Sequence, residues 1–204
     1  MKQILLRCCS LFILLMILTA AKPTTNSTAP PKGKLFEEGC VLVYFVESWP
    51  DQYLFTIRIT ENNKKSFGFH YIFTNDKLQG DITMDQDALE NAMKMYNFFD
   101  GKDHNFSDQT SVVMSKKGYN LLAEGKEATF DMGNEKMITF KKSSENPIDT
   151  FETAIHSKYG KEYLMALIAE DEEGENIIAV HNNPDFPIIL GDRKSTRLNS
   201  SHYS

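Results

Sequence analysis

The sequence predicts an α+β domain made mostly of antiparallel β-sheet, with about ten or eleven strands and two amphipathic helices. Short apolar or alternating segments recur along the chain, turn residues separate them, and only two segments combine helical spacing with start and stop signals. A β-sandwich or a barrel is the alternative architecture. A curved sheet packed on its helices is preferred, because a helix with a broad apolar face needs a broad surface to cover.

The strand prediction depends on short runs of β-branched and aromatic residues. In residues 53–59 the apolar side chains fall on odd positions, and residues 67–73 are rich in aromatics, with a polar hairpin turn at 62–65 between the two segments. The predicted strands are residues 41–46, 53–59, 67–73, 78–84, 111–114, 119–123, 128–132, 136–140, 163–169, 177–181 and 186–190.

Two segments carry helix signals. The first runs from about residue 84 to 99, where Thr83 and Gln86 form a capping box and Gly101 supplies the stop. Its apolar face consists of Ala88, Leu89, Ala92, Met93, Tyr96 and Phe99. The second begins at the predicted cap Asn146 and ends before Gly160. Both helices are expected to pack against the sheet.

The amino terminus has the features of a cleavable signal peptide. Lys2 and Arg7 make the start basic, residues 11–18 are an uninterrupted apolar run, and small residues precede a cleavage site after Ala21. A membrane span needs about 20 apolar residues, and too few follow Arg7. We therefore expect residues 1–21 to be removed and the protein to be secreted.

The two flanks of the domain are expected to be unstructured. Residues 22–34 contain three prolines and no large apolar side chain, which predicts a disordered leader. Residues 192–202 have permitted codons that spell, over their entire length, a sequence resembling the adapter ligated to fragments in short-read library preparation. We predict that residues 192–204 are an artefact, that the native carboxyl terminus is missing, and that residues 35–191 form a single domain.

Charge excludes one class of partner. The chain has 22 Lys and Arg and 28 Asp and Glu; without the signal peptide and the tail, residues 22–191 keep 17 basic and 27 acidic side chains, a net charge of −10. Such a surface repels phosphate backbones and anionic lipid, so binding to nucleic acid is not expected.

The chain lacks recognisable catalytic and metal-binding motifs. It contains no Gly-x-Ser-x-Gly and no His-Glu-x-x-His. The acidic run 170–175 lacks the alternating ligands of a calcium loop, so a solvated hairpin tip is favoured. We therefore expect no cofactor, no metal, and no hydrolysis of generic ester, peptide or glycoside substrates.

Four residues are speculative ligand-binding candidates. Trp49 lies in a Trp-Pro-Asp loop and could stack on a sugar or an apolar ligand, or close one end of the core. His70 and Tyr71 lie in the aromatic strand, which could enclose an apolar ligand if the sheet curves, or could simply fill the core. His181 ends a strand before an Asn-rich turn and is the better site candidate among the histidines.

In a secreted protein, two asparagines are potential glycosylation sites and one cysteine is a potential disulfide partner. Asn26 and Asn105 head Asn-x-Ser/Thr sequons, which are acceptors for N-glycosylation in the secretory pathway. Cys40 is the only cysteine left after signal cleavage, because Cys8 and Cys9 leave with the signal peptide. Its expected fates are, in order, a disulfide to a missing carboxyl-terminal cysteine, a buried thiol, and a disulfide-linked dimer.

Three classes of function remain. The first is a secreted, non-enzymatic binding domain for an unknown extracellular ligand, which could be a small apolar molecule, a glycan or a protein. A secreted hydrolase would need a catalytic set that is assembled only in three dimensions. An ectodomain would need a membrane anchor in the missing carboxyl terminus, so a membrane is involved only in that case.

Overall fold

The computed structural model describes residues 15–18, 36–48, 51–75, 77–133, 136–144, 148–151, 155–156 and 164–194. The helices are α1 (Gln86–Asn91) and α2 (Lys116–Ala123). The strands are β1 (Leu15–Leu18), β2 (Val41–Ser48), β3 (Asp51–Asn62), β4 (Ser66–Phe73), β5 (Gln79–Asp85), β6 (His104–Phe106), β7 (Ala128–Asp131), β8 (Met137–Lys142), β9 (Ile148–Phe151), β10 (Ile155–His156), β11 (Leu164–Glu170), β12 (Asn176–His181) and β13 (Ile189–Lys194).

These strands form two sheets, and the predicted fold class is confirmed. The first sheet has the order β10-β1-β2-β3-β4-β5-β6, and the second has the order β13-β12-β11-β8-β7, with β9 also paired to β11. All pairings are antiparallel except β1 with β10 and β5 with β6. Within the described ranges neither sheet closes on itself. Strand β1 comes from the apolar run of the predicted signal peptide and pairs with β2 in this structure of the uncleaved chain.

The inner face of the first sheet carries the larger core. Along β3 the odd residues Phe55, Ile57 and Ile59 are buried, whereas Leu54 and Arg58 are exposed. This period of two is the alternation that the sequence shows, and it gives the sheet one apolar face and one solvent-facing face. The turn between β3 and β4 was also predicted correctly; there Asn63 Oδ1 accepts hydrogen bonds from the amides of Lys65 (2.7 Å) and Ser66 (3.0 Å).

Strand β11 of the second sheet has buried residues on both faces, whereas other side chains of this sheet, such as Met137, remain exposed. Leu164 and Ala166 of β11 join the core of the first sheet, whereas Leu167 and Ala169 face a second core under α2. A strand buried on both sides needs apolar residues at consecutive positions, which explains why β11 does not alternate. Phe130, on β7, lies at the centre of this second core and is fully buried.

The first predicted helix is much shorter than expected. Helix α1 ends at Asn91, and its amino-terminal cap is Asp85, whose carboxylate accepts a hydrogen bond from the Ala88 amide at 3.0 Å. The chain then extends, because Met95 and Tyr96 donate their amides to the carbonyls of Asp131 (2.8 Å) and Thr110 (2.7 Å). The apolar residues of the predicted face still pack inward, Ala88 and Leu89 from α1 and Ala92, Met93, Tyr96 and Phe99 from the non-helical segment that follows it.

The second predicted helix, between Asn146 and Gly160, is wrong. The described part of that segment forms β9 and β10, and β9 pairs antiparallel with β11, with Ile148 opposite Leu167. Backbone pairing to a long buried strand therefore outweighs the local capping signals.

The structure instead places a helix where the strand 119–123 was expected. Ser115 caps α2 by accepting a hydrogen bond from the Gly118 amide at 3.1 Å, and Tyr119 and Leu122 are buried at a spacing of three residues. Residues 111–114 contain only one isolated bridge, between Val113 and Ile188, rather than the predicted strand.

The carboxyl-terminal strand enters the segment that was expected to be unstructured. Strand β13 continues through Lys194, and Asp192 lies opposite Ile178 of β12. This contradicts the expectation for residues 192–194, and its physical reason is that a sheet ladder is made by backbone groups and accepts almost any side chain. Residues 22–34 and 195–204 lie outside the described ranges, as does Trp49.

Candidate functional site

The outer face of the first sheet displays a group of exposed apolar side chains. Leu54 and Ile72 are 41% and 39% exposed, and the partly exposed Val43 and Phe45 lie beside them on β2. Phe45 is directly opposite Leu54, and Thr56 lies between Val43 and Ile72 in the sheet register. Cross-strand neighbours of this kind have Cβ atoms about 5 Å apart, so the four apolar side chains form one continuous surface, here named the outer strip.

A charged row borders the outer strip. Arg58, His70 and Asp81 occupy successive opposed positions on β3, β4 and β5. His70 Nδ1 lies 3.0 Å from Asp81 Oδ1, and the side chains are 32% and 55% exposed. Exposed pairs of this kind contribute little stability, about 0–1 kcal/mol. Within the described residues no ion pair to Arg58 is present, so its guanidinium faces solvent beside the apolar side chains.

The His70–Asp81 pair has part of the geometry of a general base. A neutral His70 that donates from Nδ1 to Asp81 keeps the lone pair of Nε2 for an external proton. Hydrolysis also needs a nucleophile, donors for an oxyanion and shelter from water. Among the described residues, His70 contacts the Asp81 carboxylate on an open sheet face. No hydroxyl group there is within hydrogen-bond distance of His70 Nε2. Within the described residues, the His70–Asp81 pair is therefore only part of such a catalytic set.

His181 is part of the core packing rather than of a cleft. Its ring contacts Phe36 edge to face at 5.5 Å, and its Nδ1 lies 3.4 Å from the Phe186 carbonyl. Burial lowers the pKa of His181, with the Phe186 contact acting in the opposite direction. A neutral, packed imidazole that fixes the turn between β12 and β13 is the role that this geometry supports.

Tyr71 lies inside the molecule, where an external ligand does not reach it. Its hydroxyl accepts a hydrogen bond from the Gly101 amide (3.0 Å) and donates one to the Lys102 carbonyl (3.2 Å). The surrounding aromatic strand fills the core: the Phe55 ring lies 4.6 Å from that of Phe99 and 4.7 Å from that of Phe73. The rings therefore occupy the space that an enclosed apolar ligand would need.

The polar cluster around His104 has no signature in the sequence. His104 Nε2 lies 2.9 Å from Asp100 Oδ1 and 3.0 Å from the Tyr96 hydroxyl. Hydrogen bonds from His104 and then Lys102 lower the pKa of Asp100 to about 2, whereas burial raises that of Tyr96 to about 12. A proton relay needs its two partners on different ring nitrogens, and here both share Nε2, so the cluster fixes the 96–104 loop.

The acidic run forms the tip of the β11–β12 hairpin. Asp171 Oδ1 accepts hydrogen bonds from the amides of Glu175 (2.8 Å) and Asn176 (3.1 Å), and Asp171 Oδ2 accepts one from the Asn176 side chain. Burial alone would raise the pKa of Asp171, but these hydrogen bonds outweigh it and lower the value. The Asp171 carboxylate, which is of the calcium-ligand type, is thus occupied by hydrogen bonds within the turn.

The Cys40 thiol is buried at the start of β2. Its side chain is 7% exposed, and desolvation raises its pKa to about 11. The thiol is therefore protonated at neutral pH and a weak nucleophile. The described residues contain no disulfide to it, and pairing with a missing native cysteine stays a prediction.

The sequon asparagine Asn105 lies at the edge of the first sheet. Both Asn105 and Ser107 are exposed, and Asn105 is opposite Thr83 in the parallel pairing of β5 and β6. They border a surface recess of about 330 Å³ that Asp85 and Phe106 also line. The other sequon, at Asn26, lies outside the described ranges.

The described part of the chain has neither a metal-binding cluster nor a helix that could span a membrane. There, no three His, Cys, Asp or Glu side chains come together in a way that could hold a metal ion. No helix among those residues has the length and apolar character needed to cross a membrane. In comparisons with known proteins, no family model, curated protein or solved structure matches the chain.

Proposed function

We propose that this protein is a secreted, non-enzymatic glycoprotein that binds another protein through the outer face of its first sheet. The observation that carries the proposal is the outer strip, where Leu54 and Ile72 remain about 40% exposed beside Arg58. Large apolar side chains that cluster on a surface are typical of interaction sites. The signal peptide and the two sequons support secretion and N-glycosylation at Asn26 and Asn105.

The arrangement of the face favours a protein over a small molecule. An apolar centre bordered by polar groups is the usual anatomy of a protein interface, and arginine is enriched there. The packed aromatic core around Phe55 argues against an enclosed apolar ligand. The partner surface that fits best presents an apolar side chain to Leu54 and Ile72 and a carboxylate to Arg58. The arginine guanidinium can bind one carboxylate through two parallel hydrogen bonds.

Native mass spectrometry of the protein secreted from eukaryotic cells tests the class of ligand. We expect the mass of the chain plus glycans, without a small molecule, because the core is filled. A stoichiometric apolar molecule or free oligosaccharide that survives purification would contradict the proposal. A dimeric mass would identify a second copy as the partner.

Substitutions on the outer strip test the binding face directly. Leu54→Asp and Ile72→Asp should each weaken binding to the partner about 10- to 100-fold, which corresponds to about 1.4–2.8 kcal/mol. Arg58→Glu should weaken it similarly. Both apolar positions are exposed, so the free energy of unfolding should change by less than about 0.5 kcal/mol. Affinity is measured by titration calorimetry with a partner that a photoreactive residue at position 54 has captured.

Met137→Asp is the matched control. Met137 is 61% exposed on β8 of the second sheet, so it tests whether any exposed apolar residue matters. Its substitution should leave affinity unchanged, and a photoreactive residue at position 137 should not capture the partner. Equal losses at positions 54 and 137, or unchanged affinity in all three outer-face variants, would refute the proposed binding face.

A further inference from the structure

The edge of the first sheet at β6 needs protection. Strand β6 is three residues long, pairs in parallel with β5 and is the last strand in the sheet order. A sheet edge presents backbone donors and acceptors that can pair with another chain, and natural proteins cover such edges or keep them short. Asn105 is the central residue of this strand and its side chain is exposed on the outer face, so a glycan attached to it starts beside this edge.

The sequon side chains adjoin a recess with chemistry suited to a sugar. Thr83 and Ser107 offer hydroxyl groups and Asp85 offers a carboxylate, and Phe106, whose ring packs in the core, completes the lining. Sugar hydroxyl groups donate hydrogen bonds to carboxylates and exchange hydrogen bonds with hydroxyl groups. A volume of about 330 Å³ is at the lower end of ligand sites, which suits one sugar unit better than a larger ligand.

We infer that the N-glycan on Asn105 is a structural part of the fold: its first sugar lies in this recess and the glycan covers the β5–β6 edge. The inference rests on the proposed secreted glycoprotein and assigns a place and a role to one of its glycans. The attachment places the sugar beside Thr83, since Asn105 and Thr83 are register partners on the same face of the sheet.

Asn105 lies on the same face of the first sheet as the outer strip, but at a distance from it. Leu54 is three strands away from Asn105, which is about 14 Å across the sheet at the usual strand spacing. Across the sheet, Asn105 aligns with Thr83, Gly68 and Glu61. Leu54 is seven residues from Glu61 along β3, so it is also displaced from Asn105 by about 24 Å in the strand direction. The glycan can therefore shield one edge of the first sheet while the outer strip stays open to a partner.

Occupancy is tested first, with the mature protein secreted from eukaryotic cells. Intact mass before and after enzymatic deglycosylation should show a glycan that Asn105→Gln and Ser107→Ala remove. Ser107→Thr, which keeps the sequon, and Asn26→Gln, which removes only the other one, should both retain it. An Asn105 that carries no glycan in the unmodified protein would overturn the inference and the Asn105 part of the proposed glycoprotein together.

Amide hydrogen exchange then tests where the first sugar lies, separately from whether the glycan is present. With the glycan trimmed to one sugar, the amides of β5 and β6 should exchange about 5- to 10-fold more slowly than in Ser107→Ala. Asp85→Asn, which removes the carboxylate but keeps a good helix cap, should lose part of this protection while its glycan mass is unchanged. Equal exchange in the one-sugar form and in Ser107→Ala would overturn the inference and leave the proposed function intact.

Discussion

Replacing Phe130 by alanine should lower the free energy of unfolding by about 3–5 kcal/mol, as expected for a fully buried aromatic ring. Phe130 is completely inaccessible to solvent and packs on Phe140, with ring centroids 6.2 Å apart. Its loss would leave a cavity between α2 and the second sheet, because the backbone of neither element is free to collapse into it. Urea unfolding followed by circular dichroism gives the measurement.

The close contact between Gly118 and Phe130 makes this prediction sharper. A Cβ atom added at Gly118 would lie 2.5 Å from Phe130 Cζ and 2.9 Å from Cε1, so Gly118→Ala should cost about 1–3 kcal/mol. Phe130→Leu removes those ring atoms. In that background the alanine should cost at least 1 kcal/mol less, at roughly the size expected for residues in contact. Lys117→Ala, exposed on the same helix, should change stability by less than about 0.5 kcal/mol.

Additive effects of Gly118→Ala and Phe130→Leu would mean that residue 118 does not face the ring. The test therefore also bears on the helix that the sequence did not predict. If residues 119–123 formed a strand, as their composition suggested, the cap at Ser115 would not exist and the spacing of Tyr119 and Leu122 would place them on opposite faces. Coupling between Gly118 and Phe130 is thus expected from the helix.

The strands were predictable because their signal is local. Alternation in β3 and aromatic enrichment in β4 reflect the single buried face of the first sheet, and the turn at Asn63 uses side-chain chemistry that is visible in the sequence. The helices were less predictable because their signals compete with backbone pairing. The backbone at Tyr96 is extended because the carbonyls of Thr110 and Asp131 accept hydrogen bonds from this segment. Thr110 and Asp131 are distant from it in the sequence.

The candidate site was the least predictable part. His70 was a candidate because of its aromatic neighbours in the sequence. In the structure it belongs to a charged row with Arg58 and Asp81, which only the strand register places beside it. Leu54 and Ile72 fall on the face opposite the predicted core, but the sequence does not show whether another element covers that face. Tyr71, on the inner face, was chosen for the same apolar pattern that explains why it is buried.

Asp192 should make the protein less stable as the pH rises from about 4 to 7. Burial raises its pKa from 3.8 to about 7, and its Oδ1 has no hydrogen-bond partner among the described residues. In this range the unfolded chain loses the proton of Asp192 while the folded chain keeps it. Stability is therefore fully present below pH 4, falls through this window and levels off above about pH 7.

The expected size of this loss is about 2–4 kcal/mol, since each unit of pKa shift corresponds to about 1.4 kcal/mol and the side chain is partly exposed. Asp100 and Asp171 have lowered pKa values, so their contributions change below about pH 4. The pKa of His181 is also lowered, so His181 adds stability as the pH rises towards 6.5 and opposes the Asp192 slope; the difference between the unmodified protein and Asp192→Asn isolates the Asp192 contribution. Urea unfolding between pH 4.5 and 8 measures the slope. Asp192→Asn should remove most of it, because an amide opposite Ile178 carries no charge to desolvate. A slope that Asp192→Asn leaves unchanged would show that this carboxylate is solvated in the folded protein and that β13 does not hold it against β12.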